Sequence, residues 1–387
     1  MKRHYLLAVS AVILAACGSD NNGAGEPVDS GAVIGTRTAG YDAGAHSVLN
    51  LDLPIVASNE LDGSSSSDVT VVGGAGHFYR LLKFGTNTIS RYSVDDPATP
   101  IYTYSTESAD EDSQSNPYSI IEVSDTKAYV LRYGSGKMWI VNPSAASEAA
   151  FKIGEIDLSH YDADGVPEMA TALLDGDLLY VGMQRLEFFS ATRSSYVAVI
   201  DTTTDEEVDT RVAGSDQTLL GIDLGVRNVT GLSRNPDNGE VLAIAVGGYD
   251  ENFAPVYDGG IVAIDSLDYT VELILDDGDQ SAAPYGQFQG LTVAGGGRAY
   301  FTASTGFGST SVYAIDPQSG ELGYEGAPVA ALADLNLGDI ALDSRGRLWV
   351  AQLDASAPGV TILDSDDTIL VERVDTVLIP TNIDFIQ

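Results

Sequence analysis

The chain has 387 residues, with 19 Lys and Arg against 56 Asp and Glu, four His, one Cys and a formal net charge of −37. A single Cys excludes an internal disulfide framework and a multi-Cys zinc site, and four scattered His argue against a multi-His copper or iron centre. So negative a chain lacks the basic footprint of a nucleic-acid binder, while its 44% hydrophobic content is that of a globular protein.

Lys2 and Arg3 precede an apolar run from Leu6 to Leu14, which has the make-up of a secretory signal and is too short to span a bilayer. The run ends Leu14-Ala15-Ala16-Cys17, which resembles the bacterial lipobox. That resemblance implies removal of residues 1–16 and acylation of Cys17, the only Cys in the chain. Two or three acyl chains anchor firmly, at about 0.8 kcal/mol per buried CH₂. Gly18 rather than Asp follows the Cys, which implies sorting to the outer membrane. Residues 17–31 are nearly free of large apolar side chains and read as the lipidated Cys and a flexible tether, leaving 32–387 as a single domain.

A β-rich string ending in Asp or Asn recurs through that domain: Ser47–Asp52, Ser90–Asp95, Lys137–Asn142, Tyr196–Asp201, Gly260–Asp265, Ser311–Asp316 and Gly359–Asp364. From Asp52 to Asp364 the six steps average 52 residues. The terminal Asp or Asn suits a tight turn, where its side chain caps the backbone two residues on. Each later copy follows two more strands, as in Val69–Val72 with Phe78–Leu82 and Tyr118–Val123 with Lys127–Leu131. A more variable strand closes the unit, as in Glu207–Val212. Four antiparallel strands per unit joined by Gly, Asp, Asn and Ser turns describe a propeller blade. The first unit lacks its innermost strand, and the chain ends on an opening-type strand, Pro380–Gln387. The expectation is an all-β, seven-bladed β-propeller closed by one C-terminal strand laid on three N-terminal ones, which leaves no free sheet edge.

Thr126-Lys-Ala-Tyr-Val130 with Ser135–Val141, and Tyr196-Val-Ala-Val-Ile-Asp-Thr-Thr-Thr204, resemble the YVTN-type blade of YncE-like seven-bladed propellers. The resemblance spans nearly all of 32–387 at the level of blade pattern. It implies the fold; propellers of this kind host binding, scaffolding and several chemistries. With the lipid signal, it implies an envelope-anchored binding or protein-interaction module, monomeric as a domain. The alternative is a lactonase-like or dehydrogenase-subunit-like enzyme with its site at the channel mouth.

His46, His77 and His160 fall at different phases of their blades, so they do not predict a common metal centre. Gly295-Gly-Gly297 joins two strands and is a hairpin turn rather than a phosphate loop. No nucleophile-elbow motif accompanies the Ser, His and Asp present. Asp162-Ala-Asp164-Gly165, with Glu168 beyond, has the oxygen-rich look of a calcium loop. The EF-hand spacing would need an oxygen ligand where His160 stands, so a solvated acidic turn is expected and no cofactor is assigned. Glu107, Asp110, Glu111 and Asp112 read as a second solvated acidic loop.

The loops into the inner strands and the ends of the second strands share one face near the axis. The first position collects Asn116, Glu168, Asn228, Gln287, Asp339 and Asn382; the second collects Lys83, Arg132 and Arg185. Positive charge beside amides in a negative field suits a small anionic ligand, which Arg can hold bidentately. The competing expectation is that these cations pair with neighbouring acids such as Glu168 and Glu187 and hold blades together.

Overall fold

The computed structural model describes residues 28–387, apart from 112, 188–189, 213, 215 and 251–253. Cys17 and the signal segment lie outside the described residues. The chain forms a seven-bladed β-propeller. Blade 1 runs from the axis outward as Ile379–Ile386, Gly31–Arg37, Gly44–Asn50 and Ala57–Ser64. The C-terminal strand is therefore the innermost strand of the N-terminal blade, antiparallel to Gly31–Arg37. The six later blades begin with inner strands Val69–Gly74, Pro117–Ser124, Met169–Asp175, Val229–Arg234, Gln287–Val293 and Leu337–Leu342.

Burial follows from stacking the blades face to face. Second and third strands are covered on both sides, so His77–Leu82, Val241–Ala245 and Gly260–Ile264 are buried throughout. Inner strands line the channel with half-buried side chains, and outer strands such as Lys152–Asp157 are mostly exposed. The capping expected of the Asp- and Asn-ended strings occurs in four of the seven. Asn142, Asp201, Asp265 and Asp316 each accept, through Oδ1, the backbone N–H two residues on, at 2.7–2.9 Å.

Blade 6 has three regular strands, Gln287–Val293, Ala299–Gly306 and Ser309–Ile315. Its outer edge is covered by residues 320–335 through the bridges Ile315–Leu322 and Thr310–Leu335 and the bond from Val329 N to Val312 O (2.8 Å). Positive φ at Tyr324, Glu325 and Gly326 (52°, 56° and 84°) bars an extended strand there. Blade 5 carries an added two-stranded hairpin, Gly248–Tyr249 with Pro255–Val256, between its second and third strands.

Residues 29–31, expected at the end of a flexible tether, are docked on the propeller. Ser30 N donates to Ile386 O (2.6 Å), Ser344 N donates to the Asp29 carboxylate (2.6 Å), and Gly31 is already in a strand.

Candidate functional site at the channel mouth

Inner strands start at one face of the disc, and second strands end there. Backbone bonds fix which residues are equivalent. The N–H groups of Lys83, Tyr133, Gln184, Val246 and Leu353 donate to the carbonyls of Asp68, Asn116, Glu168, Asn228 and Asn336, at 2.7–3.1 Å. Asn116, Glu168 and Asn228 thus share one position, as expected, and all three have positive φ (47°, 51° and 65°). Asn382, Asp339 and Gln287 do not share it. All three lie inside inner strands, whereas Asn116, Glu168 and Asn228 immediately precede theirs. Asn382 lies down the channel, where Val71 N donates to its Oδ1 (2.9 Å) and its Nδ2 donates to Val71 O (2.8 Å). It fastens blade 1 to blade 2.

The three cations differ by one residue each, since Lys83 aligns with Tyr133 and Gln184 rather than with Arg132 or Arg185. Each cation is instead committed to partners of its own, so the three do not form one site. Arg132 is fully buried over the Trp139 ring (4.4 Å) and donates to both oxygens of Glu111 (3.0 and 2.8 Å) and to Thr106 O (3.0 Å). Arg185 donates to the carbonyls of Tyr161 (2.8 Å) and Ser194 (3.0 Å) over the Tyr196 ring. Lys83 pairs with Asp68 (3.0 Å) over the Tyr118 ring. The anion reading is left with no free guanidinium at Arg132. Glu111, expected in a solvated loop, is its ion-pair partner. Burial alone would raise the Glu111 carboxyl, and the bonds from Arg132 hold it below its usual range.

Asp162 is likewise committed: its carboxylate pairs with Arg193 (2.9 Å). Asp164 caps its own turn by accepting from Val166 N (2.9 Å). The calcium-like spacing therefore assembles no open carboxylate pair, and the described residues contain no group of three or more His, Cys, Asp or Glu able to hold a metal. His46 is buried between blades 1 and 2, with Nε2 against Pro97 O (2.7 Å); burial and then Arg80 push its pKa down to about 4, so it is neutral at pH 7.

Two features of the mouth escaped the sequence. One is a relay of side chains. Tyr118 stacks on Tyr133 (4.2 Å), Tyr133 donates to Gln184 Oε1 (2.8 Å), and Gln184 Nε2 donates to Val229 O (3.1 Å). Beside it Glu168 accepts from Leu186 N (2.8 Å), and burial pushes its carboxyl up to about 8. The other is a cleft of about 520 Å³ between blades 5, 6 and 7, lined by Tyr249, Tyr257, Gln287, Gln289, Phe307 and Asn336 among others. Gly286 lets the chain pass close to Ser304 just before Gln287: its φ is +82°, and a Cβ there would lie 2.1 Å from Ser304 O.

No protein-family model matches the chain, and no curated protein matches it. Solved structures do, at the level of fold. A Bacteroides uniformis protein provisionally named a 6-phosphogluconolactonase is 15% identical, with 93% of this chain and 100% of that one covered and a TM-score of 0.60. A Lactobacillus plantarum protein is 13% identical over the same shares, with a TM-score of 0.62. Apo AztD from Citrobacter koseri is 13% identical over 92% of this chain and 97% of its own, with a TM-score of 0.51. At such identities the likeness establishes the propeller architecture and leaves the activity open.

Proposed function

We propose that the chain is a propeller anchored to the cell envelope by a lipidated Cys17, in the outer membrane, that binds a ligand through its channel-mouth face. One observation carries the reading: the chain enters the propeller on the opposite face. Ser30 bonds to Ile386 at the far end of the blade 1 inner strand, whereas the cleft opens where inner strands begin. An anchor there leaves the mouth clear of the membrane. The 11 residues from 18 to 28, ahead of the docked Asp29, reach at most roughly 40 Å when extended.

The test uses the lipidated protein on vesicles with one engineered cysteine, modified by a maleimide on a bulky polymer. Phe307→Cys should react at the rate seen in the soluble Cys17→Ser form, and Thr126→Cys on the far face should be slowed. A shielded mouth, or a Cys17→Ser protein that still partitions with membranes, overturns the reading.

A second reading has one observation in its favour. Glu168 is a carboxyl at the mouth poised to exchange a proton near neutral pH, as a general acid or base must. The B. uniformis neighbour's provisional name makes lactones the class to assay. Turnover abolished in Glu168→Gln would support an enzyme; no turnover in the wild type ends that reading.

A further inference from the structure

The cleft between blades 5, 6 and 7 has a chemical character unlike the rest of the surface. The chain carries 75 charged residues in 387, yet none of the fifteen lining the cleft is Asp, Glu, Lys or Arg. A phosphate or carboxylate would meet no cation there and would be opposed by the surrounding field. A cation would find no carboxylate among the described residues that line the cleft. What the cleft offers is aromatic rings and amides.

Phe307 is fully exposed at the tip of the hairpin joining Ala299–Gly306 to Ser309–Ile315, held out between Gly306 and Gly308. An exposed Phe contributes nothing to the core. Tyr249, from the hairpin added to blade 5, is also exposed, and Tyr257 lines the same wall. Between them stand three amides, each carrying a donor pair and an acceptor. Gln287 is the informative one. The residue is 9% exposed, and its Nε2 is buried with no hydrogen-bond partner among the described residues. A buried amide donor left unpaired costs stability, so it takes a partner the chain does not supply, a water in the free protein or a ligand group in its place. The volume lies within the ~300–1,000 Å³ of small-molecule sites.

We propose that this cleft binds a neutral, polyhydroxylated ligand, a sugar or oligosaccharide. The inference rests on the reading that the mouth face binds a ligand, and it names the class. Aromatic faces cover the C–H faces of a pyranose, while Gln287, Gln289 and Asn336 pair with its hydroxyls. No charge is desolvated in the process.

The experiment is calorimetric titration of the full lipidated chain, in a detergent without a sugar headgroup. The probes are gluco-, xylo-, galacto- and N-acetylglucosamine oligosaccharides, with oligogalacturonate and inorganic phosphate as anions. At least one neutral oligosaccharide should bind saturably and the anions should not. Phe307→Ala should weaken binding about 3- to 10-fold. Gln287→Leu should remove measurable binding without lowering Tm, because its amide donor makes no bond to the chain in the free protein. Should that variant misfold, Gln289→Ala at an exposed position serves in its place. No neutral binder, or binding indifferent to these variants, overturns the inference. An anion that binds and is weakened by Phe307→Ala would overturn the ligand class and leave the binding face standing.

Discussion

Arg132 and Glu111 show what a buried charge requires at the scale of one residue. The guanidinium is out of water and every bond it makes is to the protein, so removing it strands Glu111, whose side chain is 15% exposed. Arg132→Ala should cost about 3–5 kcal/mol, read as a shift in the denaturant midpoint. The Arg132→Ala, Glu111→Ala double variant should cost less than the sum of the singles. A loss under ~1 kcal/mol would mean that the pair is solvated after all. A related clamp recurs between blades. Lys127 and Tyr129 both reach Asp205, and Arg298 (2.6 Å) and Tyr300 (2.6 Å) both reach Asp367. Asp205 and Asp367 sit in the turns after Asp-ended strings and have positive φ (62° and 64°). Tyr300→Phe removes one bond to a carboxylate that is 4% exposed, and should cost about 1.5–3 kcal/mol in the same assay. Lys127 and Tyr129 lie within Thr126–Val130, the string that carried the family resemblance, so the clamp was legible as pattern. Its partner was not, because Asp205 lies 76 residues on from Tyr129 and only the ring brings them together.

Among elements, the C-terminal strand carries the most consequence. Side chains on Ile379–Ile386 tie blade 1 to the inner strand of blade 2: Thr381 Oγ1 donates to Val69 O (2.8 Å), and Gly73 N donates to Asp384 Oδ2 (3.0 Å). Ile383 and Phe385 complete the apolar cluster around Trp349 of blade 7. Deleting residues 379–387 should therefore open the ring and give aggregation or a large fall in Tm. Gly73→Ala probes the same seam more finely. A Cβ there would lie 1.8 Å from Phe385 O, so the strands must part, and Tm should fall although Gly73 lies in ordinary extended backbone. A truncated chain that melts like the full one would show the ring closed by something else. This closure was legible from a repeat whose first unit lacked a strand and whose last had one to spare. The outer edge of blade 6 and the bulges at the inner strands were not, since a bulge leaves composition intact and moves only the register. Gln287, Asp339 and Asn382 fell out of line with Asn116 because they lie inside inner strands, whereas Asn116 immediately precedes one. The cleft, built from loops of three blades, left no motif to find.

For the whole molecule, the net charge of −37 and a set of unhappy acids act in the same direction. Burial pushes the Glu168 carboxyl up from 4.5 to about 8 and Asp277 from 3.8 to about 7. Asp339 and Asp384, half-buried on the inner strands, rise from 3.8 to about 6. A group whose folded pKa is raised keeps its proton in the native state where the unfolded chain has lost it. Stability therefore falls as pH rises from the unfolded value through the folded one. The window set by these groups runs from about 4 to about 8, so Tm should be higher at pH 5 than at pH 8. Below that window the trend reverses, because Glu111 and Glu122 are held below their usual range despite burial, and protonating them breaks their bonds to Arg132 and to His77 and Tyr79. Self-repulsion also relaxes as carboxylates protonate, and salt separates the two causes. Between roughly 10 mM and 500 mM salt the Debye length shrinks from ~30 Å to a few Å, so Tm at pH 8 should rise as repulsion is screened. The pH slope surviving in high salt belongs to the buried acids. Glu168→Gln should flatten it most between about pH 7 and 8, above the range of the other raised acids, and lessen it by Glu168's own share from about 4.5 to 7. A slope abolished by salt alone, or one that Glu168→Gln leaves unchanged, would assign the whole effect to surface charge.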